Sequence, residues 1–180
     1  MITEDGITLK AALERWSATE LSLASLTFLP ELGVSLLEAG YDVPEVLKLA
    51  ICDGDEHPAD LRKAAARAFA ALGVVTETEG LHEIVVGRQV AEQLLSGQLA
   101  PEDGLRQMAR LWVLTCHSER FKAWMYLEGA IRVFRDGYGG LEPFVALTEE
   151  NIPSTICGLA RQFIEGHPLP MHPMVSSPGE

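Results

Sequence analysis

The stretch from Leu94 to Leu114 constrains the fold most strongly, because it predicts two helices joined by a very short link. One helix is predicted to end at Ser96-Gly97 and the next to begin at Pro101. Glycine commonly follows a helix because it adopts positive φ, and proline fits the first turn, where no N–H is needed. A link this short folds its two helices back on each other as an antiparallel pair. The rest of the chain can then be interpreted as helices that complete a core around this hairpin.

Similar helix starts and stops recur along the whole chain. Ser17–Glu20 has the pattern of a capping box, in which the serine hydroxyl and the glutamate satisfy free N–H groups, so a helix is predicted to begin there. Elsewhere, apolar residues recur at spacings of three and four between proline and glycine punctuation. The predicted helices cover residues 8–16, 18–28, 30–39, 43–51, 58–72, 80–96, 101–115, 119–136 and a last one from Asn151 or Ser154 to Glu165, with a short helical turn over 141–147.

Residues 74–86 admit two interpretations. Val74-Val75-Thr76 and Ile84-Val85-Val86 are β-branched runs on either side of a polar turn, which is typical of a small hairpin and, after a helix, of a wing. However, Leu81, Ile84 and Val85 also belong to one helical stripe that continues to Leu95. The longer stripe favours a helix from about Gly80 to Ser96.

Length and composition predict a single all-α domain. The chain has 180 residues, 47% of them hydrophobic, which is enough to bury one sizeable core. We assign residues 1–166 to a bundle of about seven to nine helices built from helical hairpins. Residues 167–180 are predicted to form a proline-rich tail.

The negative charge of the chain is concentrated at its beginning. Residues 1–60 carry 12 acidic and 3 basic side chains, a net charge of −9, whereas residues 61–140 carry +1 and residues 141–180 carry −4. Such a chain repels the phosphates that dominate nucleic-acid binding, so no nucleic-acid partner is expected. Residues 1–6 lack a signal-peptide pattern, and proline and glycine interrupt the apolar stretch 21–39. We therefore expect a cytoplasmic protein without a membrane span.

The densest group of candidate site residues is the acidic segment over residues 53–60. A calcium loop beginning at Asp53 would need glycine at its sixth position and an acid at its twelfth, but Pro58 and Ala64 stand there. The acids also favour the N-terminus of the following helix through its dipole. We retain four carboxylates as candidates for contact with a partner: Asp53, Asp55, Glu56 and Asp60.

No motif for catalysis, a cofactor or a metal is present in the sequence. The histidines show neither HxxxH nor HxH spacing, and His82-Glu83 lacks the rest of HExxH. Cys116 and His117 are adjacent, and neighbours on a helix point about 100° apart, which does not make a catalytic pair. The three cysteines show no CxxC spacing and are expected to be reduced, apolar side chains: Cys52, Cys116 and Cys157. Catalytic residues, cofactors and metal ligands are therefore predicted to be none.

Glu128 interrupts the otherwise apolar face of the helix predicted over 119–136. It could act as the acid of an active site, but a carboxylate four residues before Arg132 more commonly forms an ion pair on the helix edge. The large aromatic residues are assigned to the core, with contact to a partner as the alternative: Trp16, Trp112, Phe121, Trp124 and Phe134.

The order of elements from Leu29 to Trp112 resembles a group of small uncharacterised bacterial all-helical proteins. The resemblance rests on an LP…GYD…LA segment and on a helix–GxLxPxxG–helix segment. The matching residues are Leu29, Pro30, Gly40, Tyr41, Asp42, Leu49, Ala50, Leu72, Gly73, Gly97, Leu99, Pro101 and Gly104. Nearly all are caps, turns or core positions, so the resemblance implies a fold and no activity.

These observations predict a bacterial interaction protein without catalysis, of accessory or toxin-neutralising (immunity-like) type. Its acidic N-terminal third would bind a basic protein partner, because complementary charge steers association; self-association is the other partner considered. The main alternative is a small-ligand-binding protein or enzyme with a pocket between helices, lined by Glu128, His117 or Arg132. A weaker alternative is a winged-helix regulator that uses residues 74–86.

Overall fold

The computed structural model describes residues 7–139 and 141–171, and within these ranges the chain forms eight α-helices and two short 3-10 helices. The α-helices are α1 (Leu9–Glu20), α2 (Leu29–Glu38), α3 (Pro44–Ala50), α4 (Pro58–Ala71), α5 (Leu81–Leu95), α6 (Pro101–Leu114), α7 (Lys122–Arg135) and α8 (Ile152–Gly166). The 3-10 helices are Leu26–Phe28 and Glu119–Phe121. The prediction of an all-α fold with seven to nine helices is confirmed.

The chain divides into two compact units. Unit 1 contains residues 1–85 and 169–180, and unit 2 contains residues 86–168, so the division lies inside α5. The acidic first six residues and the end of the predicted tail, residues 172–180, lie outside the described residues.

Unit 1 is built from α1 to α4 around one apolar core. Helix α2 packs on α3, and α3 packs on α4. The approach of α2 to α3 depends on Gly33, because a Cβ atom there would lie 2.6 Å from the backbone nitrogen of Ala50. Trp16 of α1 stacks on Phe69 of α4 with ring centroids 4.6 Å apart. The core is therefore continuous from the first helix to the fourth.

The segment before α5 contacts the first residues of the predicted tail. The Val75 N–H donates to the carbonyl of Pro170 at 2.9 Å, and Val74 forms an isolated bridge with Met171. The hairpin considered for residues 74–86 is not formed, because the second of its runs lies in α5. The favoured interpretation, a helix from about Gly80 to Ser96, is confirmed. Among the described residues, nothing forms the wing of a winged helix.

In unit 2, helix α6 packs against both α7 and α8. The predicted stop at Gly97 and start at Pro101 are confirmed, with Gly97 at φ 74°. A Cβ at Gly104 would lie 2.3 Å from the Leu94 side chain, so this glycine lets α5 and α6 approach closely.

Arg88 ties α5 to the end of α8. Its Nη1 donates to the carbonyl oxygens of Ile164 at 2.7 Å and His167 at 2.8 Å, and its Nη2 lies 3.4 Å from a Glu92 carboxylate oxygen. The last carbonyls of a helix have no partner within the helix and carry the negative end of its dipole. The guanidinium of Arg88 donates hydrogen bonds to these carbonyls, and its positive charge interacts favourably with the helix dipole.

The predicted helix start at Ser17 is wrong. Helix α1 begins after Thr8, whose hydroxyl accepts the Ala11 N–H at 3.1 Å, and it continues through Ser17 to Glu20. Ser17 is fully buried inside the helix, and Glu20 instead accepts one hydrogen bond from the Trp16 indole N–H. Tertiary burial thus overrides the local capping pattern.

Of two further predictions in unit 2, one is wrong and one is confirmed. Residues 141–147 form turns rather than a turn of helix. The predicted start of α8 at Asn151 or Ser154 is confirmed, since Asn151 is the N-cap residue of this helix. The Thr148 hydroxyl accepts the Asn151 N–H at 3.2 Å, and the Asn151 side-chain oxygen accepts the Thr148 N–H at 2.9 Å. These two hydrogen bonds order the turn that leads into α8.

Of the aromatic residues assigned to the core, Trp16, Phe121 and Trp124 are buried, which confirms that part of the prediction. Trp112 and Phe134 are only partly buried. The Trp112 ring lies against the ring of His117, with centroids 4.0 Å apart.

Candidate interaction surface

Helix α3 exposes an apolar face as well as burying one. Pro44 occupies its first turn, where a missing N–H costs nothing, and the helix ends after Ala50. Val46 and Leu49 point inward and are fully buried. Leu47 is 50% exposed and Ile51, at its C-cap, is 74% exposed. Because these two residues are four apart, they lie on one side of the helix.

The acidic loop that follows α3 is shaped by its own carboxylates. The Asp55 N–H donates to the Asp53 carboxylate at 3.1 Å, and the Asp53 N–H donates to the Glu56 carboxylate at 3.1 Å. Gly54 lies close to the 3-10 helix of unit 1, since a Cβ there would be 3.2 Å from the carbonyl oxygen of Thr27. The loop is therefore a defined structure on the surface of unit 1.

The four candidate carboxylates, three in this loop and one in the first turn of α4, are all exposed, and none forms an ion pair with another described residue. They are Asp53, Asp55, Glu56 and Asp60. Unit 1 carries 16 acidic and 6 basic side chains, a net charge of −10, whereas unit 2 carries 10 and 8, a net charge of −2. The uncompensated charge of the chain thus belongs to unit 1. Leu47, Ile51 and these four carboxylates are called the α3 surface below.

Cys52 lies between the exposed apolar residues and the acids. Its thiol donates to the carbonyl oxygen of Lys48 at 3.2 Å. Burial raises the pKa of this thiol, and the negative charges of Glu56 and Asp60 raise it further. A thiol with a raised pKa stays protonated and is a poor nucleophile. The protonated thiol keeps its hydrogen bond to the Lys48 carbonyl oxygen.

A serine and a histidine come together in unit 1, but without the geometry of catalysis. His82 Nδ1 lies 3.2 Å from the Ser17 hydroxyl, and the His82 ring meets the edge of Trp16. Ser17 is fully buried, so no substrate reaches its oxygen. Burial lowers the pKa of His82 to about 4, which keeps the ring neutral. This pair could not be predicted from the sequence, because 65 residues separate the two partners.

Cys116 and His117 lie in the turn after α6, where both adopt left-handed backbone conformations with φ of 51° and 73°. They lie between the helices predicted over 101–115 and 119–136, and the His117 ring lies against the Trp112 ring at an interplanar angle of 32°. Among the described residues, no three histidine, cysteine or acidic side chains come close enough to hold a metal ion.

An open groove of about 410 Å³ follows α6 and α7 in unit 2. Its lining residues are Glu102, Leu105, Arg106, Met125, Glu128, Gly129, Ile131, Arg132, Arg135 and Asp136. Two of the residues proposed for a ligand pocket, Glu128 and Arg132, therefore share a groove, while His117 does not line it. The ion pair predicted between Glu128 and Arg132 is not formed.

The strongest electrostatic feature of this groove is Arg135. Its guanidinium binds Glu149 through two atoms at 2.8 Å each, and it reaches Glu102 at 2.8 Å. These hydrogen bonds lower the pKa of both carboxyl groups and raise the pKa of the guanidinium. Such shifts come from a surface ion-pair network that holds α6 and α7 to the segment before α8. They do not identify an acid or base for catalysis.

Sequence reasoning located the acids of the α3 surface but not its apolar residues. The signal was available, because Val43, Leu47 and Ile51 form a second apolar stripe beside the buried Val46 and Leu49. A short helix that is apolar on two sides must either be buried on both or expose one. Only the structure shows that α3 exposes one.

Comparison with protein-family models, with curated proteins and with solved structures finds no match. Among the helices of the described ranges, none combines the length and the apolar character that a membrane span needs.

Proposed function

We propose that this chain is a non-catalytic protein-interaction protein of a bacterial cytoplasm, of accessory or immunity-like type, and that its α3 surface binds a basic protein partner. The observation that carries the proposal is the combination on one short segment of two exposed apolar side chains, Leu47 and Ile51, with four unpaired carboxylates. An apolar centre with a charged rim is the usual composition of a transient protein interface.

The two parts of the α3 surface have different physical roles. Burying an exposed leucine or isoleucine side chain against a partner contributes about 1–2 kcal/mol, since part of each is already covered. The carboxylates contribute more to the rate and specificity of association than to its final strength, because exposed charges attract a basic partner over about 10 Å. Binding should therefore weaken as salt rises.

The test uses two variants with identical net charge. The first neutralises the α3 surface by Asp53→Asn, Asp55→Asn, Glu56→Gln and Asp60→Asn. The control neutralises four exposed acids elsewhere that form no ion pair with described residues, by Glu38→Gln, Glu142→Gln, Glu150→Gln and Glu165→Gln. Each protein is immobilised, a bacterial extract is passed over it, and captured proteins are quantified by mass spectrometry.

The proposal expects a basic protein that the wild type and the control retain and that the first variant loses by about tenfold or more. Replacing Leu47 and Ile51 by serine should lose the same protein without changing the charge. Equal capture by the wild type and both neutralised variants would overturn the proposal.

A further inference from the structure

Helix α7 presents a face in unit 2 that the fold leaves without a partner. Along this face lie five residues at helical spacing, which also line the groove beside α6: Met125, Glu128, Gly129, Arg132 and Asp136. Glu128, Arg132 and Asp136 are exposed, and Met125 and Gly129 are partly exposed. This set is called the α7 face below.

Gly129 is the first observation that points to an occupant. Glycine in the interior of a helix is less favourable than alanine, because it loses more backbone freedom on folding. At Gly33, Gly87 and Gly104 the chain itself explains the glycine, since a Cβ would meet other atoms at 2.3 to 2.6 Å. At Gly129 a Cβ would meet nothing within 4 Å. The same is true at Gly158 in α8; at Gly129 the open space leaves room for another backbone to approach the α7 face.

The charges beside Gly129 are the second observation. Glu128 and Arg132 are one helical turn apart, yet neither forms an ion pair with another described residue. Arg135, one turn further, is fully occupied by Glu102 and Glu149. The α7 face therefore offers two unpaired acids, Glu128 and Asp136, and one unpaired base, Arg132, with Gly129 next to Arg132 on the same side of the helix.

This pattern is complementary to itself. If a second helix α7 lies antiparallel across the first, with a two-fold axis midway between positions 128 and 132, then each Glu128 faces the Arg132 of the other copy. Two-fold contacts of this kind use the same patch on both chains and form every interaction twice. Gly129 lies at the edge of this contact, next to Arg132, where the absence of a side chain leaves room for the second helix.

We propose that two copies of this chain associate through the α7 face, with α7 antiparallel to α7 of the second copy and two reciprocal Glu128–Arg132 ion pairs. The proposal concerns unit 2 alone, so it is independent of the function proposed for the α3 surface. The face is small, and the dimer therefore has a dissociation constant on the order of 10 µM.

Charge reversal tests the proposal with the whole chain by sedimentation equilibrium from about 2 µM to about 500 µM. Glu128→Arg and Arg132→Glu each place like charges opposite each other twice, so each should weaken dimerisation at least about tenfold. The double variant Glu128→Arg/Arg132→Glu restores opposite charges and should dimerise within about threefold of the wild type. Equimolar mixing of the two single variants should form a heterodimer, since one then carries two bases and the other two acids.

Two further variants distinguish a change on the α7 face from the general effect of a bulky side chain on the surface of a helix. Gly129→Leu should abolish the dimer, whereas Gly158→Leu, at another glycine whose Cβ would meet nothing within 4 Å, should leave it intact. Circular dichroism checks that both variants remain folded. A wild-type chain that is monomeric throughout the concentration range overturns the proposal. So does a dimer that tolerates both single reversals, which would have to use another surface.

Discussion

Gly33 controls how closely α3 lies on α2, and its replacement by alanine gives a quantitative test of the packing in unit 1. A Cβ at this position would lie 2.6 Å from the Ala50 nitrogen, 2.8 Å from the Ala50 Cα and 3.0 Å from the Leu49 carbonyl carbon. All three are backbone atoms, so no rotamer change relieves the contact and α3 has to move away from α2. Overpacking of this kind costs about 3 kcal/mol, the upper end of its usual range.

The helix propensity of alanine offsets about 1 kcal/mol of that cost, which leaves a net loss of about 2 kcal/mol. For a chain of this length, the loss corresponds to a decrease in Tm of about 4–8 °C. Thermal and urea unfolding followed by circular dichroism at about 222 nm measures both quantities. The matched control is Gly158→Ala in α8, where a Cβ would meet nothing within 4 Å. This control should stabilise the protein by about 0.5–1 kcal/mol.

The difference in sign between the two variants is the decisive result. If Gly33→Ala were as stable as the wild type, the close approach of α2 to α3 would be refuted, together with the orientation it imposes on Leu47 and Ile51. Those two residues belong to the α3 surface. The Gly33→Ala variant should therefore capture less of the basic partner, and the decrease should exceed the fraction of the variant that is unfolded.

Three further predictions concern single side chains. Replacing Arg88 by methionine leaves two carbonyls at the end of α8 without their donor and should cost about 2 kcal/mol in urea unfolding, whereas Arg161→Met on the exposed side of α8 should change stability by less than about 0.5 kcal/mol. Burial lowers the pKa of His82 from 6.5 to about 4. Between these pH values the unfolded chain therefore binds a proton that the folded chain does not, and stability falls as the pH decreases through this window. Allowing for partial exposure of the ring, the free energy of unfolding decreases by about 1–2 kcal/mol. The measurement compares urea midpoints at about pH 7 and about pH 4.5, and the His82→Gln variant should not show this contribution to the difference. Cys116→Asn should stabilise the chain by about 0.5–1 kcal/mol, because asparagine tolerates the left-handed conformation better than cysteine, and Cys116→Ser, which keeps the strain, should not change the Tm.

Helix boundaries were predictable where glycine or proline marks them, because each of these residues strongly favours one position relative to a helix. Gly40, Gly73 and Gly97 all follow helices with φ between 74° and 88°, and Pro44 and Pro101 each occupy a first helical position. These residues act through their own backbone conformation, which the rest of the fold hardly alters. The helix over residues 81–95 was predictable for another reason: its apolar stripe continues to Leu95, beyond the end of the strand that a hairpin would need.

The errors arose where a local pattern competed with tertiary burial. Ser17 and Glu20 have the spacing of a capping box, but capping contributes only about 1 kcal/mol. Continuing α1 buries Trp16 against Phe69, and burying a large aromatic side chain contributes about 2–3 kcal/mol. The larger contribution determines the structure. Since Phe69 lies 53 residues away, the sequence around Ser17 contains no trace of it.

The same limit applies to the candidate surfaces, and Glu128 illustrates it. Its spacing from Arg132 permits an ion pair, but an exposed pair of this kind contributes only about 0.3–0.5 kcal/mol, too little to hold two long side chains in one arrangement. The structure leaves both charges unpaired and places a glycine with open space around it next to Arg132. A second copy changes the balance, because it adds two ion pairs and buries Gly129 at once. An intramolecular pair that is too weak to form can thus become an intermolecular pair that is strong enough, and charge reversal distinguishes the two.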